Sequence, residues 1–250
     1  MNYKSEKVIP YKSDDSKSVQ VEQMFDGIAL RYDALNSWLS LGMDMWWRKT
    51  ALRKLKEYQI DNLLDIATGT GDFAILANKI LEPKPKQIIG IDISDGMMDV
   101  GRVKVREANL VNKIYFQYQD CASMSFENET FDAAIAAFGV RNFEDIDKSF
   151  SEIERVLNPG GVFMFLELTT PRYQPIKFFY NVYSHSFIPF ITRMLSEDKK
   201  AYDYLPESIK AFPQGEEMVG ILKKSGFTNV KRWPLTMGVC TIYLAEKAKV

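Results

Sequence analysis

The segment at residues 62–72, Asn-Leu-Leu-Asp-Ile-Ala-Thr-Gly-Thr-Gly-Asp, has residue types that suit the binding of a nucleotide-like ligand. Its pattern is an apolar strand, a turn of small residues, and a helix over about residues 73–80. Gly69 and Gly71 let the backbone turn tightly and approach a ligand where a side chain would collide. Loops of this kind at the carboxyl end of a buried parallel strand bind nucleotides and related molecules.

A carboxylate further along the chain fits the same site. Gln87–Asp92 is a second apolar strand pattern, and an acid at the end of the second strand binds ribose hydroxyls in nucleotide-binding α/β folds. Asp65 and Asp72 make the loop acidic and no lysine follows its glycines, so a cationic ligand without phosphates fits better than a pyrophosphate. S-adenosylmethionine has a ribose, a sulfonium and an ammonium, and we predict it as the ligand. If Asp92 had only a structural role, it would cap the next helix, but Ser94 already offers an N-cap there.

Composition excludes several classes of function. The 250 residues support one α/β domain with additional elements, and a net charge of -1 gives no electrostatic case for a nucleic-acid partner. Cys121 and Cys240 have no metal-ligand or redox spacing, and one histidine, His185, excludes a zinc site built from histidines, so we expect no metal. No signal-peptide pattern and no run of about 20 apolar residues is present, which predicts a cytoplasmic protein.

The middle of the chain alternates strand and helix patterns, as parallel sheets with crossover helices do. Right-handed crossovers bring the carboxyl ends of all these strands to one edge, so residues 68–71, Asp92, Asp120 and residues 138–142 should converge there. Two final segments predict an antiparallel pair at the sheet edge. The seven predicted strands are residues 62–67, 87–92, 113–118, 131–138, 162–168, 229–236 and 239–247, with a sharp turn at residues 158–161 before the fifth.

Three further regions surround this sheet. Residues 1–18 are polar without periodicity and predict a disordered or loosely attached tail. Residues 19–58 predict an N-terminal helical cap, in which Trp38, Trp46 and Trp47 are more simply packing aromatics than part of a mobile cover. Residues 59–250 form the ligand-binding domain, interrupted at about residues 171–226 by an aromatic-rich insertion. That insertion is either an extra helical layer or a lid that receives an apolar substrate, and both readings stay open.

With these motifs in place, the sequence resembles the menaquinone and ubiquinone biosynthesis C-methyltransferases, from about Gln20 onward. The resemblance implies a Rossmann-like class I S-adenosylmethionine-dependent methyltransferase fold, with a seven-stranded mostly parallel sheet, an antiparallel C-terminal hairpin and a helical lid insertion. Ala67 departs from the first glycine of many methyltransferases, and Ala137 replaces a serine of some family members. The matching segments are Met24-Phe-Asp-Gly-Ile-Ala-Leu-Arg-Tyr-Asp-Ala-Leu-Asn36, Ser40-Leu-Gly42 through Trp47-Arg48, Asp65-Ile-Ala-Thr-Gly-Thr-Gly-Asp72, Phe138-Gly-Val-Arg-Asn142, Leu157-Asn-Pro-Gly-Gly161, Glu167 and Tyr204-Leu-Pro-Glu-Ser-Ile209.

The residue pattern and the resemblance together assign a cofactor site. Thr70 and the loop backbone should face the methionine part of the cofactor, Asp92 the ribose, and Asp120 with the backbone of Cys121 the adenine. Asp120 as an ordinary turn acid is the structural alternative. The predicted cofactor-binding residues are Asp65, Thr68, Gly69, Thr70, Gly71, Asp92, Asp120, Cys121 and Ala137, and the predicted substrate-binding residues are Tyr32, Phe138, Phe179 and Tyr183.

The resemblance implies methyl transfer from S-adenosylmethionine to a quinol ring carbon, with S-adenosylhomocysteine as product. That carbon is nucleophilic only when the neighbouring hydroxyl, with a phenol-like pKa of about 10, loses its proton. Arg141 and Asn142 are the predicted catalytic residues, because charge and donors near the oxygen stabilise a phenolate. Arginine cannot accept the proton, so a carboxylate or solvent takes it. If Arg141 had only a structural role, it would instead pair with Glu144 or Glu167. His185 is predicted to pack in the lid.

The acceptor and the cellular setting are less determined. Demethylmenaquinol is the predicted acceptor. The alternatives are a polyprenyl-methoxy-benzoquinol of ubiquinone biosynthesis, another small apolar acceptor such as a sterol or a fatty-acid derivative, and a nucleoside-binding module without chemistry. A dehydrogenase is disfavoured, because the acidic loop would face a pyrophosphate. A prenylated quinol lives in the bilayer, so transient contact of residues 178–190 with the inner face of the membrane is expected, and a homo-oligomer is left open.

Overall fold

A single seven-stranded sheet organises the chain in the computed structural model, which describes residues 3–11, 13–171, 173–176, 178 and 199–249. The spatial order is β3-β2-β1-β4-β5-β7-β6, in which neighbours from β3 to β5 are parallel and β7 runs antiparallel to both β5 and β6. This arrangement confirms the predicted fold class. The strands are β1 (Asn62–Ile66), β2 (Gln87–Asp92), β3 (Ile114–Tyr118), β4 (Phe131–Ala137), β5 (Leu157–Leu168), β6 (Phe227–Leu235) and β7 (Cys240–Lys247).

The central strands read as continuous apolar runs because helices cover both faces of the sheet. Successive residues such as Leu63 and Leu64 are both fully buried, one in the core on each face. The first core packs against α6 and α8, and the second against α3, α4 and α5. The described helices are α1 (Lys17–Ile28), α2 (Tyr32–Leu39), α3 (Met43–Leu52), α4 (Asp72–Ile80), α5 (Asp95–Glu107), α6 (Ile146–Val156), α7 (Lys199–Ala211) and α8 (Glu216–Lys224).

The turn predicted at residues 158–161 lies inside β5 instead of before it. Phe131 pairs with Leu157 and Ala133 with Val162, so the intervening residues form a bulge in the β4–β5 ladder. Gly160, at φ +76°, supplies the left-handed residue that such a bulge favours. The strand therefore begins five residues earlier than the sequence indicated.

The N-terminal residues are attached more firmly than their composition suggested. Where a disordered or loosely attached tail was expected, a short 3-10 helix (Lys4–Lys7) lies against α6. Glu6 accepts a hydrogen bond from the backbone N–H of Ile146 at 3.0 Å, and the Tyr3 hydroxyl donates to Asp147 at 2.7 Å. An acid at a helix N-terminus is stabilised by the helix dipole, which composition alone does not reveal.

The helical cap of α1, α2 and α3 covers the carboxyl edge of the sheet. Met24 and Leu35 pack with Tyr204 of α7 in a small separate core. Trp47 belongs to the main core, as expected, but Trp38 and Trp46 are 61% and 49% exposed and are not packing aromatics. The structure differs from the sequence interpretation for these two residues because α2 and α3 turn their outer faces to solvent.

Part of the predicted insertion at residues 171–226 lies outside the described residues, including most of the aromatic segment at residues 178–190. Within the described part, α7 contributes Tyr204 to the cap core, whereas α8 packs on the main sheet. Met218 and Leu222 of α8 are fully buried in the core that also contains α6. The helix α8 is therefore a layer of the central fold rather than a cover over its edge.

Two non-glycine residues take left-handed backbone conformations at the edge where β1 and β4 end. Ala67 has φ +51° and Phe138 has φ +62°. A left-handed conformation costs an L-residue about 1–2 kcal/mol, and such strain concentrates at functional sites. The close approach of the two loops also constrains Gly139, because a Cβ there would lie 2.5 Å from the Cβ of Ala67.

This approach predicts a compensating pair of substitutions. Gly139→Ala should lower the free energy of unfolding by about 1–3 kcal/mol through overpacking. The backbone of Gly139, at φ −104°, accommodates alanine, and the next nearest atoms are 3.8 Å away. Ala67→Gly should therefore restore most of the loss, while Ala67→Gly alone should not destabilise the chain. Urea unfolding without ligand measures all three variants, and an equal loss in the double variant would contradict this packing.

Candidate active site

The carboxyl ends of β1, β2 and β4 surround a cavity of about 670 Å³. The residues predicted to converge at this edge do so. Among the predicted site residues, the cavity is lined by Gly69, Asp92, Asp120, Cys121, Ala137, Phe138, Tyr32 and Asn142, and a second cavity beside it is lined by Asp65, Thr68 and Thr70.

Asp92 is held in place by two backbone donors. Its Oδ2 accepts from the N–H of Gly69 at 2.8 Å, and its Oδ1 accepts from the N–H of Ser94 at 3.0 Å. Burial raises the pKa of this carboxyl to about 6, so it is ionised at neutral pH and keeps lone pairs for further donors. Ser94 caps α5 as expected, accepting from the N–H of Met97 at 3.2 Å. Asp92 can therefore accept from the two ribose hydroxyls.

The opposite end of this cavity suits a flat aromatic ring. Asp120 accepts from the N–H of Ala122 at 2.8 Å, which fixes the turn after β3. Burial raises the pKa of the Cys121 thiol, so this cysteine is not a thiolate. Sequence reasoning missed the apolar wall here, although Ile93 follows Asp92 directly and would have indicated it. The additional lining residues are Phe25, Ile93, Met97, Gln119 and Phe143.

The smaller cavity, of about 310 Å³, is lined by Asp65 and Arg48, each of which has a buried polar atom without a hydrogen-bond partner in the described chain. Asp65 Oδ2 accepts from the hydroxyl of Thr68 at 2.7 Å, but its Oδ1 is buried and has no hydrogen-bond partner within the described chain. Burial raises the pKa of Asp65 to about 7. Arg48 pairs with Asp44, while its Nε is likewise buried without a partner among the described residues. These groups complement the ammonium and the carboxylate of an amino acid.

Arg48 was not predicted as a site residue, although it ends the Trp47-Arg48 part of the family motif. It lines the smaller cavity, and its guanidinium carbon lies 5.1 Å from the ring centroid of Phe138, which lines the larger one. The residues of the smaller cavity fit the amino-acid end of S-adenosylmethionine, and those of the larger cavity fit its ribose and adenine.

Thr70 lines the smaller cavity, and its hydroxyl is also hydrogen-bonded within the protein. Its hydroxyl donates to Asp33 at 2.7 Å and accepts from Lys104 at 3.0 Å. Lys104 also contacts Asp33 at 2.5 Å and Asp72 at 2.6 Å. Thr70 therefore connects cap helix α2 to the glycine loop, and Lys104 compensates part of the acidity that the sequence showed there.

A large apolar cavity of about 1190 Å³ lies on the other side of Tyr32 and Phe138, which line both this cavity and the crevice at Asp92. The shared wall agrees with their predicted role in substrate binding. Burial raises the pKa of Tyr32, so its hydroxyl keeps its proton. The other predicted contacts, Phe179 and Tyr183, and also His185, lie outside the described residues. The cavity is lined further by Asn36, Leu39, Ser40, Leu41, Met43, Asp44, Trp47, Arg141, Leu168, Ile176, Leu205, Ile209 and Val239.

Arg141 is the principal charged group on the wall of this apolar cavity. Its Nη1 donates to the carbonyl of Phe138 and to Glu167 Oε1, the latter at 2.9 Å, and its backbone N–H donates to Glu167 Oε2 at 2.9 Å. Burial opposes the charge of Arg141, but Glu167 outweighs it, and the pKa of the guanidinium stays above its usual value. The structural pairing with Glu167 is therefore present, and Glu144 instead accepts from the N–H of Ser18.

The loop that carries Arg141 is held from two further sides. Asn142 lines the cofactor crevice, and its Oδ1 accepts from the hydroxyl of Tyr204 at 3.1 Å. Lys17, which the sequence assigned to the tail, donates to the carbonyl oxygens of Ser5, Arg141 and Phe143 at 2.7, 3.2 and 3.1 Å. Burial lowers the pKa of Lys17 to about 8. Arg141 thus faces the apolar cavity and Asn142 the crevice, on one firmly held loop.

Within the part of the chain that the structure describes, no group of histidine, cysteine, aspartate or glutamate side chains is arranged to hold a metal ion. None of the described helices is long and apolar enough to cross a membrane.

Comparison with known proteins shows the family of the chain. The model of the ubiE/COQ5 methyltransferase family matches residues 13–247. The chain is 53% identical over 247 residues to the demethylmenaquinone methyltransferase of Bacteroides fragilis, covering 99% of this chain and 100% of that protein. It is 37% identical to the ubiquinone/menaquinone biosynthesis C-methyltransferase UbiE of Geobacter sulfurreducens, covering 98% and 94%.

Among solved structures, the cyclase SpnF superposes with a TM-score of 0.68 at 17% identity, covering 93% of this chain and 97% of that one. This likeness shows the fold alone, whereas the family model and the sequence relatives cover nearly the whole chain. The chain therefore belongs to the ubiE/COQ5 methyltransferase family and is an S-adenosylmethionine-dependent methyltransferase.

Proposed function

We propose that this methyltransferase methylates a ring carbon of demethylmenaquinol. The observation that carries the proposal is the meeting of two unlike cavities at Tyr32 and Phe138. One is a crevice with a ribose-binding carboxylate, and the other is a large apolar cavity whose wall includes the charge of Arg141. The name of the relative at 53% identity supports demethylmenaquinol as the acceptor.

The residues of the site would hold the cofactor by both ends. Asp92 accepts from the ribose hydroxyls, and Ile93 with Met97 packs on the adenine. At the other end, Asp65 accepts from the ammonium and Arg48 binds the carboxylate, which satisfies their buried unpaired atoms. Holding both ends leaves the reactive centre at the wall formed by Tyr32 and Phe138, where the acceptor ring can approach in line.

When bound, the cofactor supplies an electrophilic methyl group: its bond to sulfur breaks while a bond to the ring carbon forms. The chain's own contribution is to make that carbon nucleophilic. Arg141 stabilises the quinol oxygen as its proton leaves, and the proton passes to water, because a guanidinium cannot accept it. Loss of the ring proton to solvent then restores the aromatic ring, and the quinol oxygen takes a proton back from solvent, so one proton is released overall. Glu167 holds the guanidinium in position for this role.

The proposed acceptor also bears on where in the cell the protein works. A prenylated quinol is dissolved in the bilayer, so we propose peripheral contact with the cytoplasmic face of a membrane. The exclusion of nucleic acid and the oligomeric state stay predictions from the sequence.

Methyl transfer to a reduced acceptor tests the proposed function directly. The purified chain should convert a short-chain demethylnaphthoquinol and S-adenosylmethionine into S-adenosylhomocysteine and a quinol one methyl group heavier, measured by mass spectrometry. The oxidised quinone should not react, because it has no hydroxyl to lose a proton. A matched methoxy-benzoquinol measures the alternative acceptor named for the Geobacter relative. Methylation of the oxidised form, or of neither quinol, would exclude the mechanism.

The two ends of the cofactor site can be tested separately with two ligands. S-adenosylhomocysteine and methylthioadenosine share adenine and ribose, but only the first has an amino-acid end. Arg48→Met should weaken S-adenosylhomocysteine binding about tenfold to a hundredfold, as for a lost charged hydrogen bond, and leave methylthioadenosine binding unchanged. Asp92→Asn should weaken both. Calorimetry measures each affinity, and equal losses on both ligands for Arg48→Met would mean that Arg48 acts through packing.

The role of Arg141 can be separated from its pairing with Glu167. Arg141→Met leaves a buried carboxylate unpaired and should cost about 3–5 kcal/mol of stability. Arg141→Met combined with Glu167→Gln removes that charge and should recover most of the stability. Turnover should stay about a hundredfold to a thousandfold below the unsubstituted chain, with cofactor affinity intact. Recovery of turnover in the double variant would show that Arg141 only neutralises Glu167.

A further inference from the structure

We propose that the turn between α2 and α3 is a membrane-docking surface that opens the apolar cavity directly to an anionic lipid bilayer. We call residues 37–56 the docking segment. The inference rests on the proposed function, because a prenylated acceptor must leave the bilayer to reach the site. It names the surface through which that transfer takes place.

Leu41 shows where the apolar cavity meets the outside. It lines the cavity and is also 66% exposed, so it lies at the mouth. Leu39, Ser40 and Met43 line the same cavity, so the turn between the two helices forms this part of the rim. Leu41, at φ +52°, and Gly42, at φ +74°, both have left-handed backbone conformations that make the turn tight. An acceptor entering here would pass the tip of the docking segment.

Near this mouth in sequence, the docking segment carries large apolar side chains that are exposed in the described structure. Trp38 and Trp46 are among the most exposed aromatics of the described chain, and Met45 is 36% exposed between them in sequence. Exposed apolar residues scattered singly are ordinary, but several on one turn beside an apolar opening mark an interaction site. Tryptophan is the side chain enriched at the boundary between lipid and water.

The charges of the docking segment fit an anionic surface. Lys49, Arg53 and Lys56 are exposed. Lys49 follows Trp46 by three residues and Arg53 follows Lys49 by four, which places the three side chains along one helix face. The one acid between residues 37 and 56 is Asp44, which is buried and paired with Arg48. The chain as a whole has a net charge of -1, so this positive face is local. Basic residues beside exposed tryptophans are typical of surfaces that bind anionic lipid.

A second copy of the chain fits this surface less well. In a two-fold contact, each docking segment would face the other, and Lys49 and Arg53 would meet the same cations on the partner. No exposed acid within the segment is available to compensate them. We therefore assign the surface to lipid.

Flotation with lipid vesicles tests the assignment. The full chain should bind vesicles that contain about a third phosphatidylglycerol, bind pure phosphatidylcholine vesicles less, and lose binding as salt rises. Trp38→Ser with Trp46→Ser should weaken binding about tenfold, and Lys49→Glu with Arg53→Glu should remove the preference for anionic vesicles. Controls on other faces, Val111→Ser with Tyr115→Ser and Arg106→Glu with Lys223→Glu, should bind as the unsubstituted chain does. Equal effects in test and control variants would overturn the proposal.

Fluorescence quenching by brominated lipids shows which tryptophans enter the membrane. Of the other two tryptophans, Trp47 is buried and Trp233 is half-buried on β6, so Trp38 and Trp46 should carry most of the quenching. Trp38→Phe with Trp46→Phe keeps the apolar surface and should stay bound while most of the quenching disappears. Unchanged quenching in this variant, or no vesicle binding by the full chain, would overturn the proposal. If the chain dimerises without vesicles, and Trp38→Ser with Trp46→Ser abolishes the dimer, the surface belongs to a second copy instead.

Turnover on two acceptors separates this inference from the proposed function. Trp38→Ser with Trp46→Ser should methylate a water-soluble demethylnaphthoquinol at the normal rate and lose about tenfold in rate on a long-chain acceptor in vesicles. Equal rates on the vesicle acceptor would overturn the docking role while the methylation stands. Vesicle binding without methylation of either quinol would overturn the proposed function while the docking surface stands.

Discussion

The buried pairing of Arg141 with Glu167 is the interaction on which the site depends. Glu167 ends β5 with its side chain fully buried, and it accepts from both the guanidinium and the backbone N–H of Arg141. The loop after β4 is therefore fixed to the neighbouring strand by the same residue that supplies its charge. Loss of either partner alone would leave the other charge buried and unpaired, so the two residues stabilise this loop only as a pair. That loop also carries Phe138, and so the pair sets the wall between the two cavities.

The first two helices of the cap, α1 and α2, are attached to this framework largely by polar contacts. Asp26 accepts from the hydroxyl of Ser94 at 2.6 Å, and Asp33 joins α2 to Lys104. Met24 and Leu35 of these helices pack with Tyr204 in a small separate core, whereas α3 packs in the main core through Trp47. Contacts that water can replace open at lower cost than a packed core, so regions held by them are the ones that move. A cap of this construction can admit a cofactor and still exclude water once closed.

Local patterns in the sequence were enough to predict the seven strands, the antiparallel final pair, and the meeting of the glycine loop and Asp92 at one edge, because strand periodicity and loop chemistry act over short distances. They were not enough for Lys17 and Arg48. Both residues act through groups far along the chain, and a lysine in a polar N-terminal stretch looks like any solvated charge. The exposure of Trp38 and Trp46 was also missed. Tryptophan is expected to be buried, and only the orientation of α2 and α3 in the structure shows that these two side chains face solvent.

The two acids of the crevice show how binding is favoured at the expense of stability. Burial raises the folded-state pKa of Asp92 to about 6 and of Asp65 to about 7, above the value of about 3.9 for an unfolded aspartate. At pH values between the unfolded and the folded pKa, the folded chain binds more protons than the unfolded chain does. The free energy of unfolding therefore falls as pH rises through this range, and at neutral pH most of this loss of stability is present. A ligand with an ammonium beside Asp65 favours the ionised form and removes part of that cost. The fold therefore leaves these carboxylates poorly solvated when the site is empty. A cationic ligand compensates part of that cost, and this compensation adds to its binding affinity.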